Sequence, residues 1–250
     1  MKLCTLASGS SGNSLFIETN SSRILVDAGI SYKKISKKLN AIGVDISDID
    51  AVLITHEHTD HAQAVPQFHV PVYVANSIAG LWADGSRYIK IFEAGRSFSI
   101  NDIIILPFPV PHDAVDPVGF ILEADDIRVG VVTDIGVNTR LVTERLKSLN
   151  AVVLEFNHDE RMLIDSIYPW HLKQRIKSRL GHLSNEEAST LLNSIIHSDF
   201  DSVILAHLSK VNNSPEKALQ SALSCLGSSG YRNIKINLAP RDKIGDIIEL

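Results

Sequence analysis

The string ITHEHTDH, Ile54 to His61, places three histidines, a glutamate and an aspartate at the close of an apolar run. The spacing suits a loop leaving a strand rather than a helix. Residues i and i+2 point the same way on extended backbone, so His56 and His58 can grip one cation while Asp60 and His61 turn toward a second. Imidazole mixed with carboxylate suits zinc or manganese, with iron as a third option. Two cations need about three further ligands, and three ionisable residues end apolar runs elsewhere. They are His112 in PVPHDAVDP, Asp134 closing IRVGVVTD and His207 closing SVILAH. Singly, each reads as a capped turn or a core histidine. Together they read as one cluster, in which Asp134 is the natural bridge because a carboxylate can bind both cations.

Those residues need strands to end on. Short β-rich runs dominate the first part of the chain: Leu3 to Ala7, Ser14 to Glu18, Arg23 to Asp27, Ala51 to Ile54, Val72 to Ala75, Ile103 to Leu106, Val118 to Glu123 and Ile127 to Thr133. A helix is expected from Ser31, a good N-cap, to Gly43, with Ile35, Leu39 and Ile42 on one stripe. After Asp134 helices are expected over Thr139 to Leu149, Pro169 to Leu180, Ser184 to His197 and Ser214 to Leu226, with strands at Ala151 to Glu155 and Ser202 to Ala206. Ser184 and Glu187 form a capping box, and Ser214 with Pro215 a second helix start. The pattern predicts two sheets packed face to face with helices outside, in one domain over residues 1–250.

Composition excludes several classes. A net charge of −5 gives no global attraction for polyanions, so a nucleic-acid partner would need a local basic patch. Two cysteines, Cys4 and Cys225, are too few for a disulfide framework or a cysteine-based zinc module. The start MKLCTLASGS lacks the apolar core of a signal peptide, and nothing approaches the ~18 apolar residues of a membrane span. The cytoplasm is the expected compartment, with no membrane partner.

The string THEHTDH, with Asp27 upstream in ILVDAG and His112, Asp134 and His207 downstream, resembles the metallo-β-lactamase superfamily in the order of its motifs. The resemblance implies an α/β fold, a four-layer αββα sandwich with two metals at one edge of the sheets. It implies that His56, His58 and His112 hold the first metal, that Asp60, His61 and His207 hold the second, and that Asp134 bridges them. Asp27 would support the site from behind rather than ligate. The strings LASGSSGNS, LEFNHD, RLGHLSN and LAHLSKVNN together resemble the YycJ/WalJ-like branch, related to ribonuclease Z and other phosphodiesterases. That branch implies 5′ to 3′ exonuclease activity on double-stranded DNA, so the partner is nucleic acid, DNA ahead of RNA. A hydroxide held between the metals would attack phosphorus, with Asp60 orienting it.

The chain departs from relatives of that branch in three places. The interval from Asp134 to His207 is too short for the cap of the RNA-processing nucleases, no long arm follows His61, and HAQAVPQF lacks the glycine usual after the motif. The runner-up reading is a small-molecule or cyclic-nucleotide phosphodiesterase. A non-catalytic scaffold with structural metals, binding DNA or a partner, comes from another class, and acyl hydrolysis is a further alternative.

Secondary features complete the reading. Gly9 and Gly12 could form an anion nest, although a hairpin turn is the simpler reading. The stretch HLKQRIKSRLGH pairs Lys173 with Lys177 and Arg175 with Arg179 at i and i+4, giving basic stripes that either track a nucleic-acid backbone or form a solvated face. His182, just before the helix capped by Ser184, resembles the ribonuclease Z-like histidine near the leaving group and is the candidate general acid. His158, with Glu155 and Asn157, is a further pocket candidate. His69, His171 and His197 have no assigned role.

Overall fold

Aliphatic and β-branched runs pair into two sheets of seven strands each in the computed structural model, which describes residues 1–82, 88–230 and 233–250. The first sheet takes β1 (Lys2–Ala7), β2 (Ser14–Glu18), β3 (Arg23–Val26), β4 (Ala51–Leu53), β5 (Val72–Ala75) and β6 (Ile89–Phe92). The second takes β7 (Phe98–Ile100), β8 (Ile103–Pro109), β9 (Val118–Ala124), β10 (Ile127–Val132), β11 (Ala151–Glu155), β12 (Ser202–Ala206) and β13 (Lys235–Leu238). Finally β14 (Ile247–Glu249) returns to the edge of the first sheet beside β1. The spatial orders are β14-β1-β2-β3-β4-β5-β6 and β13-β12-β11-β10-β9-β8-β7.

Each sheet changes from antiparallel to parallel pairing at one strand, the first at β3 and the second at β10. Asp27 and Asp134 follow those two strands. Strands β4, β11 and β12 are buried along their length, and their near-continuous apolar sequence is what a parallel strand covered on both faces requires.

The helices are α1 (Tyr32–Ala41), α2 (Thr59–Ala62), α3 (Arg140–Leu146), α4 (Glu160–Asp165), α5 (Trp170–Ile176), α6 (Asn185–Ile195) and α7 (Pro215–Ser229). Ile35 and Leu39 of α1 bury into the core that includes the first sheet. Val142, Leu146, Leu191, Leu192, Ala218 and Ala222 of α3, α6 and α7 join a second core with the other sheet. The layers are the αββα arrangement expected.

Capping explains most boundaries. Ser184 and Glu187 make the reciprocal capping box at α6. Ser214 accepts from Lys217 N at α7, which ends on Gly230 in the left-handed region. Ser31 precedes α1 but makes no capping bond through its side chain. Two helices are shorter than expected. The helix beginning at Thr139 ends at Leu146, and Ser148 takes a left-handed φ of 60°. The one beginning at Pro169 ends at Ile176, because His182 N bonds back to the Ile176 carbonyl and swings the chain toward the site. Gly181 lies so close to the carbonyls of Arg175 and Ile176 that a Cβ would overlap them.

Candidate metal centre

The ionisable residues read from the sequence follow the carboxyl ends of adjacent strands, where open α/β sheets place their ligands. Asp27, Asp134 and His207 follow β3, β10 and β12, and all three take a left-handed φ, 64°, 53° and 54°. Non-glycine residues adopt that region at a cost of about 1–3 kcal/mol, and such strain is concentrated at functional sites. His56 and His58 lie in the loop after β4, as the spacing predicts. Asp60 and His61 do not: they form the first turn of α2, with His58 as its N-cap. Neighbouring backbone imposes that turn, since Asn13 N donates to the Asp60 carbonyl and Ala28 N to the His61 carbonyl, each at 2.7 Å. Gly29 permits the contact, because a Cβ there would overlap the Asp60 carbonyl.

All seven proposed ligands converge. Ring nitrogens of His56, His58 and His112 can be chosen that lie within 4.8 Å of one another, and the same holds for a carboxylate oxygen of Asp60 with ring nitrogens of His61 and His207. His56 Nε2 is 3.0 Å from His58 Nδ1. Asp134 lies between the groups, 2.9 Å from His61 Nε2 and 3.8 Å from His112 Nε2. Asp60 Oδ2 stands 3.8 Å from His61 Nε2 and 3.9 Å from His207 Nε2. Above them opens a cavity of about 440 Å³ whose lining includes His58, Asp60, Asp134, His182 and His207.

Behind the imidazoles stand two buried carboxylates. Asp27 accepts from Thr55 N at 2.9 Å, from the Thr55 hydroxyl at 3.0 Å and from His61 Nδ1 at 2.7 Å. Glu155, fully buried at the end of β11, accepts through Oε1 from both His182 Nδ1 and His207 Nδ1 at 2.8 Å. Its other oxygen accepts from Ile135 N and Leu183 N. Glu155 was grouped in the sequence only with the neighbourhood of His158. The signal that marked Asp134 and His207, an ionisable residue closing an apolar strand, was present in AVVLE as well. His182 belongs to the same site, its ring 5.2 Å from that of His112 and 5.3 Å from that of His207. His158 does not line the cavity: it is buried behind and bridges Ser184, while Asn157 lines the cavity and donates to the His207 carbonyl. Glu57 accepts from Val115 N.

The field of the site follows from these neighbours. Burial alone would raise Asp134, but His207 and His61 beside it hold it well below the ordinary carboxylate range. Burial likewise opposes ionisation of Glu155, yet His182 and His207 hold it at about 2. Burial pulls His56 well below the usual imidazole value and lowers His112. Burial would also lower His61 and His207, but Asp134 with Asp27 lifts the first well above its usual value, and Asp134 with Asp60 and Glu155 lifts the second to about 10. His182 is raised too: burial works against it, and Glu155 outweighs burial.

The donor set fits divalent cations. Nε2 of His207 and Oδ2 of Asp134 are buried without a hydrogen-bond partner. With Nδ1 of His61 committed to Asp27, its Nε2 meets Asn13 Nδ2 at 3.0 Å and faces Asp134 Oδ2 at 2.9 Å in a contact not aligned as a hydrogen bond. Buried polar atoms left so are costly unless something fills the space between them. Imidazole and carboxylate groups are the ligands that zinc and manganese take.

Two other sequence features resolve differently. The cations of α5 and the turn after it are largely engaged at home: Arg175 with Asp113 at 2.5 Å, Lys177 with Glu160 at 3.3 Å, and Lys173 with the carbonyls of Ile164 and Ser166. Gly9 and Gly12 close a turn between β1 and β2, in which Gly12 N donates to the Gly9 carbonyl and Gly9 N to Asn13 Oδ1. The hairpin reading holds there, and those two amides are not free for an anion.

The αββα layers, with a histidine and aspartate cluster at the strand ends of both sheets, define a metal-dependent hydrolase of the metallo-β-lactamase fold. Residues 22–207 match the family described as the beta-lactamase superfamily domain, and the chain belongs to that superfamily. It is 37% identical over 240 residues to exodeoxyribonuclease WalJ of Streptococcus pneumoniae serotype 2, covering 91% of this chain and 89% of that one. It is 34% identical over 235 residues to exodeoxyribonuclease YycJ of Bacillus anthracis, covering 90% and 89%. Solved structures share the fold: YhfI of Bacillus subtilis, with TM-score 0.73 and 15% identity over 97% of this chain and 98% of that one. Zinc-bound PqqB of Methylobacterium extorquens gives 0.70 and 15% over the whole of both chains. The fold implies divalent metal ions.

Proposed function

We propose that the chain is a dinuclear phosphodiesterase acting as a nuclease, which degrades double-stranded DNA in the 5′ to 3′ direction. The observation that carries this reading is the pair of three-residue groups on either side of Asp134, at the floor of an open, polar cavity. His56, His58 and His112 would hold one cation and Asp60, His61 and His207 the other, zinc or manganese with iron as a third option. Cations there would acidify a bound water and neutralise the charge growing on the phosphoryl oxygens. The names of the two relatives support DNA as the substrate.

The chain's own groups then have distinct tasks. Asp60, partly open to the cavity, accepts a hydrogen bond from the attacking water and orients it. Glu155 holds His182 by Nδ1 and so turns Nε2 away from itself. From there His182 donates a proton to the departing sugar oxygen, which is a poor leaving group without one. The same carboxylate holds His207 by Nδ1 and leaves its Nε2 for a cation. Ligands come from both sheets, so the site exists only where the two pack, and we treat residues 1–250 as a single domain. No helix among the described residues is long and apolar enough to cross a membrane. Cys4 is buried and forms no disulfide, and the cytoplasm is the compartment we assign.

The test combines elemental analysis with cleavage of end-labelled duplex and single-stranded DNA and RNA. Two ions per chain and release of the 5′ label from duplex DNA first are expected. One ion in fully loaded protein would remove the dinuclear reading. Turnover of small phosphodiesters with none of nucleic acids would replace it by the small-molecule alternative.

A further inference from the structure

The chain carries net charge −5, yet two cavities beside the catalytic one are lined by cations. The first, of about 590 Å³, lies between α1 and the segment after β13. Lys34, Lys37, Lys38, Arg241 and Lys243 line it with one acidic residue, Asp242. The second, of about 530 Å³, shares Arg241, Asp242 and Lys243 and adds Lys210. Among the described residues none of these six cations is in ion-pair contact with a carboxylate, in contrast to Arg175 and Lys177 near α5. Lys38 is instead spent on structure, donating to the carbonyls of Leu6 and Asp242 at 2.7 and 2.9 Å and so joining α1 to the later segment.

These cavities adjoin the catalytic one. Ser10 lines the catalytic cavity and its neighbour Ser11 the first basic cavity, while Ser209 lines both the catalytic cavity and the second. Arg241 donates to the carbonyl of Leu208, the residue after His207. The glycine turn at Gly9 packs against the same carbonyl and the Arg241 side chain. A row of cations thus begins at Arg241, bonded to the residue that follows a proposed ligand, and runs past the turn at Ser10 and Ser11 to the exposed face of α1. Lys34 and Lys37 are neighbours on that face, at i and i+3.

We infer that Lys34, Lys37, Lys210, Arg241 and Lys243 form a track for the phosphate backbone of duplex nucleic acid, holding it while its end enters the catalytic cavity. The inference rests on the nuclease reading and adds the path of the substrate outside the site. Unpaired cations attract a polyanion by counterion release without reading sequence. A row leading to the phosphodiester chemistry fits a nucleic-acid backbone better than an anionic membrane, which would need a flat face with no link to the cavity.

The test uses full-length protein and a catalytically silent binding assay, with chelator present, on duplex DNA over a range of salt. Lys34→Ala/Lys37→Ala/Lys243→Ala is expected to weaken binding equally for unrelated sequences. The slope of log affinity against log salt should become shallower by about 2.7, or ~0.9 for each of three phosphate contacts. A control, Lys90→Ala/Lys147→Ala/Lys235→Ala, removes the same charge elsewhere and should keep the wild-type slope. Equal slopes in the track variant and wild type, with wild-type protein degrading duplex DNA, overturn the inference and leave the nuclease reading standing. Equal losses in both variants also overturn it, since net charge alone would then be responsible. Loss of binding to phosphatidylglycerol vesicles with duplex binding intact would assign the cations to a membrane surface instead. Wild-type protein that neither binds nor degrades duplex DNA overturns the nuclease reading as well.

Discussion

His56 and His61 belong to one short motif, and their rings are 4.1 Å apart, yet their surroundings differ in kind. His56 Nδ1 meets the hydroxyl of Thr55 at 3.0 Å, and His112 Nδ1 donates to the Gly181 carbonyl at 3.1 Å. Both are backed by neutral groups. His61 and His207 are backed by the buried carboxylates of Asp27 and Glu155. The shifts follow: burial carries His56 and His112 down, and neighbouring carboxylates carry His61 and His207 up against the same burial. A carboxylate behind a ligating histidine fixes its tautomer and makes it a stronger donor. The group of Asp60, His61 and His207 should therefore hold its cation more tightly than the group of His56, His58 and His112.

The largest effects come from removing one imidazole from each group. His58→Ala and His61→Ala should both reduce DNA cleavage to background, because each leaves a cation without its full set of ligands. They should differ in stability. Loss of His61 strands Asp27 as an uncompensated buried charge, which costs about 3–5 kcal/mol, whereas His58 is half-exposed and has no buried carboxylate partner. Urea unfolding of the metal-stripped proteins measures this. Equal midpoints for the two variants would break the comparison, since they would show that the carboxylate does not depend on its histidine.

His182 shares Glu155 with His207 but is not assigned to a cation, so it separates the carboxylate's two tasks. His182→Ala should slow DNA cleavage by about 10²- to 10⁴-fold, the usual contribution of a general acid. Turnover of bis(p-nitrophenyl) phosphate should fall far less, because a nitrophenolate leaves without a proton. Metal content should stay at the wild-type value. Equal losses on both substrates with metals intact would make His182 a phosphate-positioning group.

Next in size are the carboxylates themselves. Asp27→Asn and Glu155→Gln keep the shape of each side chain and remove its charge, and each should weaken metal binding by about 10- to 100-fold. Chelator titration followed by metal release should show two phases in wild-type protein, and only the later phase should move earlier in these variants. A shift of the first phase alone would reverse the ranking of the two groups.

Much of this centre was legible because its proposed ligands obey a local rule: an ionisable residue ends an apolar strand. Asp134 and His207 stood out that way, and so did the motif after β4. Glu155 obeyed the rule as well, but its partner His182 lies beyond α4 and α5, so only the packing shows that they meet. The helical turn at Asp60 and His61 was missed for a similar reason, since Asn13 and Ala28 impose it from the loops before β2 and after β3. Charge is read least well along the chain. The stripes at Lys173 to Arg179 were visible by spacing, yet Asp113 and Glu160, which engage two of them, come from elsewhere. The row from Lys34 to Lys243 was invisible, because its members come from opposite ends of the sequence.

The smallest effect is expected at Thr55, whose hydroxyl stands between the two groups. It lies 3.0 Å from both oxygens of Asp27, 3.0 Å from His56 Nδ1 and 3.3 Å from His61 Nδ1. Its single proton goes to Asp27, the only one of these partners that can accept but not donate, so the oxygen is left to accept from His56 Nδ1–H. That bond keeps His56 Nε2 bare on the side of His58. Thr55→Val retains the volume and leaves Asp27 its bonds from Thr55 N and His61, but it strands the buried Nδ1–H of His56. An unsatisfied buried donor costs about 1–3 kcal/mol, which His56 can relieve by changing tautomer at the expense of its Nε2 lone pair. The first phase of metal loss should therefore come earlier by roughly tenfold or less, with the second unchanged. Movement of the second phase instead would mean that Thr55 acts through Asp27 and that the two groups are not supported independently.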